Sequence, residues 1–141
     1  MFKFLQNKNI NKIPIPFLET HIVDNCNLKC NKCSHFCHLI DEEIMINVDD
    51  FEKDMSILSK NCNIFQLKLL GGEPLLHPQI NELITISRNY FPKSRISIGT
   101  NGILLKTMKN TFWKTMQKNH ILIDISKYQM YKSKKPMIHY F

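Results

Sequence analysis

Glycine is scarce in this chain, with four residues among 141, and no Gly/Ser-rich linker, internal repeat or low-complexity tract is present. Tethered modules and solenoids are thereby excluded, and the length is that of one domain. No apolar run reaches the ~18 residues of a membrane-spanning helix. The first residues, Met1 to Lys12, are polar and rich in Asn and Lys, without the apolar stretch of a signal peptide. A cytoplasmic location is expected, and thiols stay reduced there. Acidic residues are also few, 12 against 19 Lys and Arg, giving a net charge of +7. That excess suits an anionic partner such as a nucleotide or an acidic substrate. The lysines are dispersed, however, and their one cluster, Lys132-Ser133-Lys134-Lys135, sits near the end of the chain. The excess therefore reads as a solvated surface, and neither nucleic acid nor a membrane is the expected partner. A hydrophobic content of 43% supports a packed core rather than disorder.

Cysteine is what the chain does have. Five are present, at 26, 30, 33, 37 and 62, and Cys26, Cys30 and Cys33 fall in one short loop. Closed zinc and iron–sulfur sites take four protein ligands. Three thiolates at such tight, uneven spacing suit a 4Fe–4S cluster with one iron left open to a small molecule. A zinc site completed by His35, Cys37 or His38 is the alternative at this point. Cys37 and Cys62 read as packed or idle thiols, Cys37 also as a guard of the loop.

Strand and helix patterns alternate, which predicts parallel strands with helical crossovers. Strands are expected at 17–23, 64–70, 95–99 and 121–126. Helices are expected at 49–60, with Asp49 and Glu52 spaced as a capping box, from Pro78 onward, and through Leu104, Met108, Phe112 and Met116. Phe112 and Trp113 are expected in the core, and His77 as a neighbour of a helix cap. The glycines, Gly71, Gly72, Gly99 and Gly102, all fall at or just past a predicted strand's C-terminal end, the active-site face of α/β barrels. Glycine there lets a backbone approach a ligand or take positive φ. The strands alternate rather than run apolar, as in Phe65, Leu67 and Leu69 against Gln66 and Lys68. Glu19 and His21 share one side of the first strand. Polar side chains are expected to face together toward a wet or ligand-filled interior.

The cysteine loop, the turn Leu69-Leu70-Gly71-Gly72-Glu73-Pro74-Leu75, the Thr100-Asn101-Gly102 turn and a fourth strand ending near Ser126 together resemble the radical S-adenosylmethionine (SAM) superfamily. The resemblance implies an α/β fold, a partial (β/α) TIM-like barrel of about four strand–helix units. Residues 1–16 would be a lead-in segment, and 17–141 a core incomplete at its C-terminus. The family's activity implies a 4Fe–4S cluster on Cys26, Cys30 and Cys33, whose open iron chelates SAM. Reductive cleavage then gives a 5′-deoxyadenosyl radical that abstracts hydrogen from substrate. Gly71, Gly72, Glu73 and Pro74 would contact the SAM amino group, Glu73 being expected to face a cation. Thr100, Asn101, Asp124 and Ser126 would meet its methionine or ribose. Lys32 stands where the family often carries an aromatic residue against adenine. A small-molecule, peptide or glycan-precursor substrate and a flavodoxin- or ferredoxin-like electron donor are the implied partners. A non-catalytic zinc or iron–sulfur protein, or an inactive fragment, is the alternative.

Overall fold

The computed structural model describes residues 12–30, 33–40 and 42–126. Lys32, most of the 1–16 lead-in and the 132–135 lysine cluster lie outside them. Four strands, β1 (Ile13–Val23), β2 (Cys62–Gly71), β3 (Arg95–Thr100) and β4 (Ile121–Ile125), form one sheet in sequence order. Every neighbouring pair is parallel. The crossovers carry α1 (Val48–Asn61), α2 (Ile80–Tyr90) and α3 (Asn110–Lys118), as parallel pairing requires. The fold is α/β, a parallel sheet with helical crossovers that forms a partial (β/α) barrel.

The core lies between helices and sheet. Phe51 and Met55 of α1, Leu83 and Ile84 of α2, and Phe112 and Met116 of α3 meet Leu67, Leu69, Ile96, Ile98 and Ile121. The alternate strand positions, Glu19, His21, Gln66, Lys68, Ser97 and Asp124, take the other face. The polar set thus gathers as expected, on a half-open surface: Glu19 and His21 are exposed and Ser97 is buried. Phe65 breaks the alternation at 58% exposed, because it precedes the stretch of β2 that pairs with β3 from Gln66 onward.

Several boundaries differ from the sequence reading. β1 begins at Ile13 rather than Phe17, through Pro14 and Pro16. Proline lacks the donor a central strand needs, but among the described residues β1 is an edge strand, where that donor has no ladder partner to satisfy. Asn47, not Asp49, caps α1, its Oδ1 accepting from the Asp49 N–H at 2.8 Å. α2 starts at Ile80, after a 3₁₀ turn at Pro74–Leu76. His77 closes the gap, its Nδ1 accepting from the Gln79 N–H at 3.1 Å while Nε2 donates to the Ile46 carbonyl at 2.9 Å. The third helical stretch is two pieces, a 3₁₀ segment Ile103–Thr107 and α3, broken at the extended Met108. Trp113 is 40% exposed: Phe112 already takes the sheet-facing direction, and the next residue on a helix turns about 100° away.

Candidate cluster site

The end of the sheet is closed by backbone. Beyond the β1–β2 ladder, the Gly72 N–H donates to the Val23 carbonyl at 2.7 Å and the Glu73 N–H to the Asn25 carbonyl at 2.8 Å. A Cβ on Gly71 would stand 1.9 Å from the Val23 carbonyl oxygen, and one on Gly72 2.0 Å from that of Asn25. Gly71 also holds φ of +147°. The glycine pair therefore admits the protein's own chain, directly before Cys26, and no ligand is needed to explain it.

Glu73 is fully buried at 0% exposed. Its Oε1 accepts from the Thr100 hydroxyl at 2.7 Å and the Leu75 N–H at 3.1 Å, and its Oε2 from the Asn101 N–H at 2.8 Å. Three protein donors satisfy this carboxylate, so the expectation that a cation neutralises it gives way. A buried carboxylate needs hydrogen bonds or a countercharge, and the end of β3 supplies the hydrogen bonds. Pro74 is buried at the start of the 3₁₀ turn that Glu73 caps.

Asn101 carries the connection to the cysteines. Its Nδ2 donates to Asn27 Oδ1 at 2.6 Å and lies 3.9 Å from Cys26 Sγ, which also accepts from the Leu28 N–H at 3.4 Å. Hydrogen bonds to ligand sulfurs are what tune iron–sulfur centres. The loop's ends are tied together: Asn25 Nδ2 donates to the Glu42 carbonyl at 2.8 Å and its Oδ1 accepts from the Ile44 N–H at 2.7 Å. The Asp24 N–H donates to the Ile44 carbonyl at 2.9 Å. Asn25, Asn27 and the structural work of Asn101 escaped the sequence reading; the signal was asparagine on either side of Cys26, a residue that holds turns by side-chain hydrogen bonds.

Cys30 is buried, and burial, followed by the fields of Cys26 and Cys33, raises its thiol to about 11. Burial also raises Cys26, with the Glu73 charge and Cys33 adding to it against the Leu28 N–H and Asn101. Cys37 is raised by burial and by its hydrogen bond to Cys33. The thiols lie within one another's fields, although no group of three Cys, His, Asp or Glu side chains among the described residues converges tightly enough to hold an ion. Soft sulfur donors in one coupled group, with N–H groups already aimed at Cys26, fit an iron–sulfur cluster, whose charge would displace the protons. Of the zinc-completing alternatives, His35 rests edge-on against His21 with ring centroids 4.7 Å apart.

Asp124 and Ser126 do not join this knot. Asp124 Oδ2 lies 3.4 Å from Lys68 Nζ, and the Lys68 stem reaches it across Gly99, where a Cβ would be 2.9 Å from Lys68 Cε. Gly99 thus makes room for a lysine of the same sheet. Ser126 is exposed and contributes its backbone N–H, to the Thr100 carbonyl at 2.9 Å.

A family model described as a 4Fe-4S single cluster domain matches residues 18–139. The chain belongs to that family. This 4Fe-4S single cluster domain is 27% identical over 118 residues to a GTP 3′,8-cyclase of Microcystis aeruginosa, covering 78% of the chain and 35% of the relative. It is 29% identical over 118 residues to the antilisterial bacteriocin subtilosin biosynthesis protein AlbA of Bacillus subtilis, covering 82% and 25%. Among solved structures, Streptococcus suis SuiB bound to S-adenosylmethionine superposes with a TM-score of 0.65 at 22% identity, covering 87% of the chain and 27% of SuiB. The AdoMet-bound anSMEcpe gives 0.59 at 24% identity, over 82% and 32%. The domain therefore spans about a quarter to a third of the length of the curated relatives it matches.

Proposed function

We propose that this domain is the cluster-bearing front part of a radical SAM enzyme. One observation carries the reading. The Gly71–Pro74 turn, the Thr100-Asn101 turn and Cys26 form one hydrogen-bonded unit centred on Glu73. Cys26, Cys30 and Cys33 would hold the cluster, and SAM would be its second cofactor. The bound cluster would supply the electron that splits SAM into methionine and a 5′-deoxyadenosyl radical for hydrogen abstraction from substrate.

The chain's own residues supply position. With the Glu73 carboxylate occupied, the backbone carbonyls of Gly71 and Gly72 are the acceptors for the SAM ammonium group. Pro74 fixes the turn's exit. Thr100 and Asn101 hold the adjoining strand end, and Asn101 steadies Cys26. Asp124 and Ser126 stand further along the same edge as ribose or methionine contacts. A peptide is the favoured substrate, supported by AlbA's part in bacteriocin biosynthesis and by a SuiB structure bound to the precursor peptide SuiA. A glycan precursor or small molecule is the alternative. A flavodoxin- or ferredoxin-like donor in the reducing cytoplasm would feed the cluster.

Anaerobic reconstitution tests this. About four irons and four sulfides per chain are expected, with SAM-dependent release of 5′-deoxyadenosine on reduction by dithionite. Cys26→Ala, Cys30→Ala and Cys33→Ala should each abolish the release. Stoichiometric zinc with no SAM binding overturns the reading.

A further inference from the structure

The polar face of the sheet holds a buried hydroxyl with nothing to bond. Parallel pairing sets Glu19, Lys68, Ser97 and Leu122 side by side on one rung, one from each strand. Side chains on a rung point the same way. The next rung toward the cluster end pairs Gly99 with Asp124. Lys68 leans forward onto that rung, its stem passing over Gly99 and its Nζ lying 3.4 Å from Asp124 Oδ2. Ser97 stays behind at 1% exposed, and its Oγ has no hydrogen-bond partner. Buried hydroxyls are nearly always bonded, so this one marks a donor that the fold itself does not use. The Lys68–Asp124 pair next to it is loosely held, with side chains 24% and 41% exposed, and such pairs exchange at little cost.

We propose that Lys68 and Ser97 together bind a carboxylate of the substrate, an acidic side chain of a peptide, once SAM has drawn Asp124 away from Lys68. This rests on the reading above, in which Asp124 contacts SAM. With Asp124 so engaged, the Lys68 ammonium is left without its partner, on the strand beside Ser97 at a spacing of about 5 Å. An ammonium and a hydroxyl there are two donors for one carboxylate, and charge-assisted bonds are the strong ones. Glu19, on the other side of Lys68 in the rung, repels an anion and directs it toward Ser97. Leu122, beyond Ser97 and 42% exposed, is apolar surface for the methylenes of the acidic side chain. The net charge of +7 favours the approach of such a peptide. SAM therefore binds first, and by linkage each ligand tightens the other.

The test is calorimetric titration of the anaerobically reconstituted full chain, with and without SAM. The probe is a blocked alanine pentapeptide with one central glutamate, set against its glutamine twin. With SAM present, the glutamate peptide should bind about tenfold tighter or more, and without SAM that preference should collapse. Lys68→Met should abolish the preference and let SAM bind up to about fivefold tighter, since Asp124 is already free. Ser97→Ala should weaken the glutamate peptide alone. It should leave the urea midpoint where it is or raise it, because its hydroxyl has no bond to lose, whereas a structural serine would lower it. Equal binding of the two peptides with SAM overturns the proposal. So does a preference that survives Lys68→Met or Ser97→Ala or needs no SAM, or a Ser97→Ala chain that is clearly destabilised. A wild-type chain that takes up no cluster, or a cluster that binds no SAM, overturns the radical SAM reading itself, and the proposal with it.

Discussion

Replacing Glu73 by glutamine isolates the bond on which the site's geometry depends. The glutamine oxygen at the Oε1 position keeps the Thr100 and Leu75 donors, at 2.7 and 3.1 Å. The amide nitrogen then faces the Asn101 N–H, which Oε2 had accepted at 2.8 Å. One hydrogen bond is lost and two donors confront each other in a place where Glu73 is 0% exposed. An unsatisfied buried donor costs about 1–3 kcal/mol, so Glu73→Gln should lower the unfolding free energy by that amount and bring the urea midpoint down with it. Glu73→Ala strands all three donors, one of them at the half-buried Asn101, and should cost about 3–5 kcal/mol. Against a total of about 5–15 kcal/mol that variant is near unfolding, which makes the glutamine variant the decisive one. The assay is urea unfolding followed by Trp113 emission and circular dichroism. Asn101 also reaches Cys26 and Asn27, so the reconstituted Glu73→Gln protein should lose iron faster than wild type. A variant that unfolds at the wild-type urea midpoint refutes the claim that this carboxylate ties the two strand ends together.

Gly72→Ala places a Cβ 2.0 Å from the Asn25 carbonyl oxygen; backbone cannot yield there, and iron uptake together with about 2–4 kcal/mol of stability should be lost, measured by iron assay and urea unfolding. Arg88→Lys should cost about 2–3 kcal/mol in the same unfolding assay. The guanidinium donates to the carbonyls of Phe91, Pro92, Ser94, Asn119 and His120, tying α2 to the turn before β4, and a lysine cannot match that fork. Burial and neighbouring thiols raise Cys30 from 9.0 to about 11. A raised thiol favours the folded state below its unfolded value and loses that contribution as pH rises through the folded value. The metal-free chain should therefore lose stability as pH rises from 9 to 11, and Cys30→Ala should flatten that part of the stability–pH curve.

What could be read from the sequence was what neighbours in the chain decide. Period-two alternation located Leu67, Leu69, Ile96 and Ile98 on the buried face, and glycine spacing located the strand ends. The four strands were correctly placed to within a few residues. What could not be read was decided by partners distant along the chain. Pro14 and Pro16 argue against a strand until β1 is known to be an edge. Glu73 looks like a buried charge in want of a cation until Thr100, 27 residues away, supplies a hydroxyl. Asp124 looks like a free carboxylate until Lys68 crosses Gly99 to meet it. The i+4 spacing of Leu104, Met108, Phe112 and Met116 reads as one helix, because a 3₁₀ segment and an α-helix on the same path can both turn those residues toward the sheet.

The two regions flanking the strand ends are held by different forces, and this bears on what each can do. The cluster end is fixed by backbone: Gly72 to Val23, Glu73 to Asn25, Asp24 to Ile44. Its buried carboxylate, Glu73, is enclosed and fully hydrogen-bonded. Such a network has one arrangement, and a substitution within it is felt throughout. The polar face of the sheet is held by side chains in partial contact with water, with Lys68 paired to Asp124 at 3.4 Å and His21 to Asp24 at 3.4 Å. Half-exposed pairs of this kind are worth about 0–1 kcal/mol, so they can be exchanged with little loss of fold. On the proposed reading, the cofactors would lie at the part of the domain that tolerates least change. A Lys68→Met variant should accordingly retain the wild-type unfolding midpoint to within about 1 kcal/mol, with full iron content. A large loss of stability would mean that the polar face is structural.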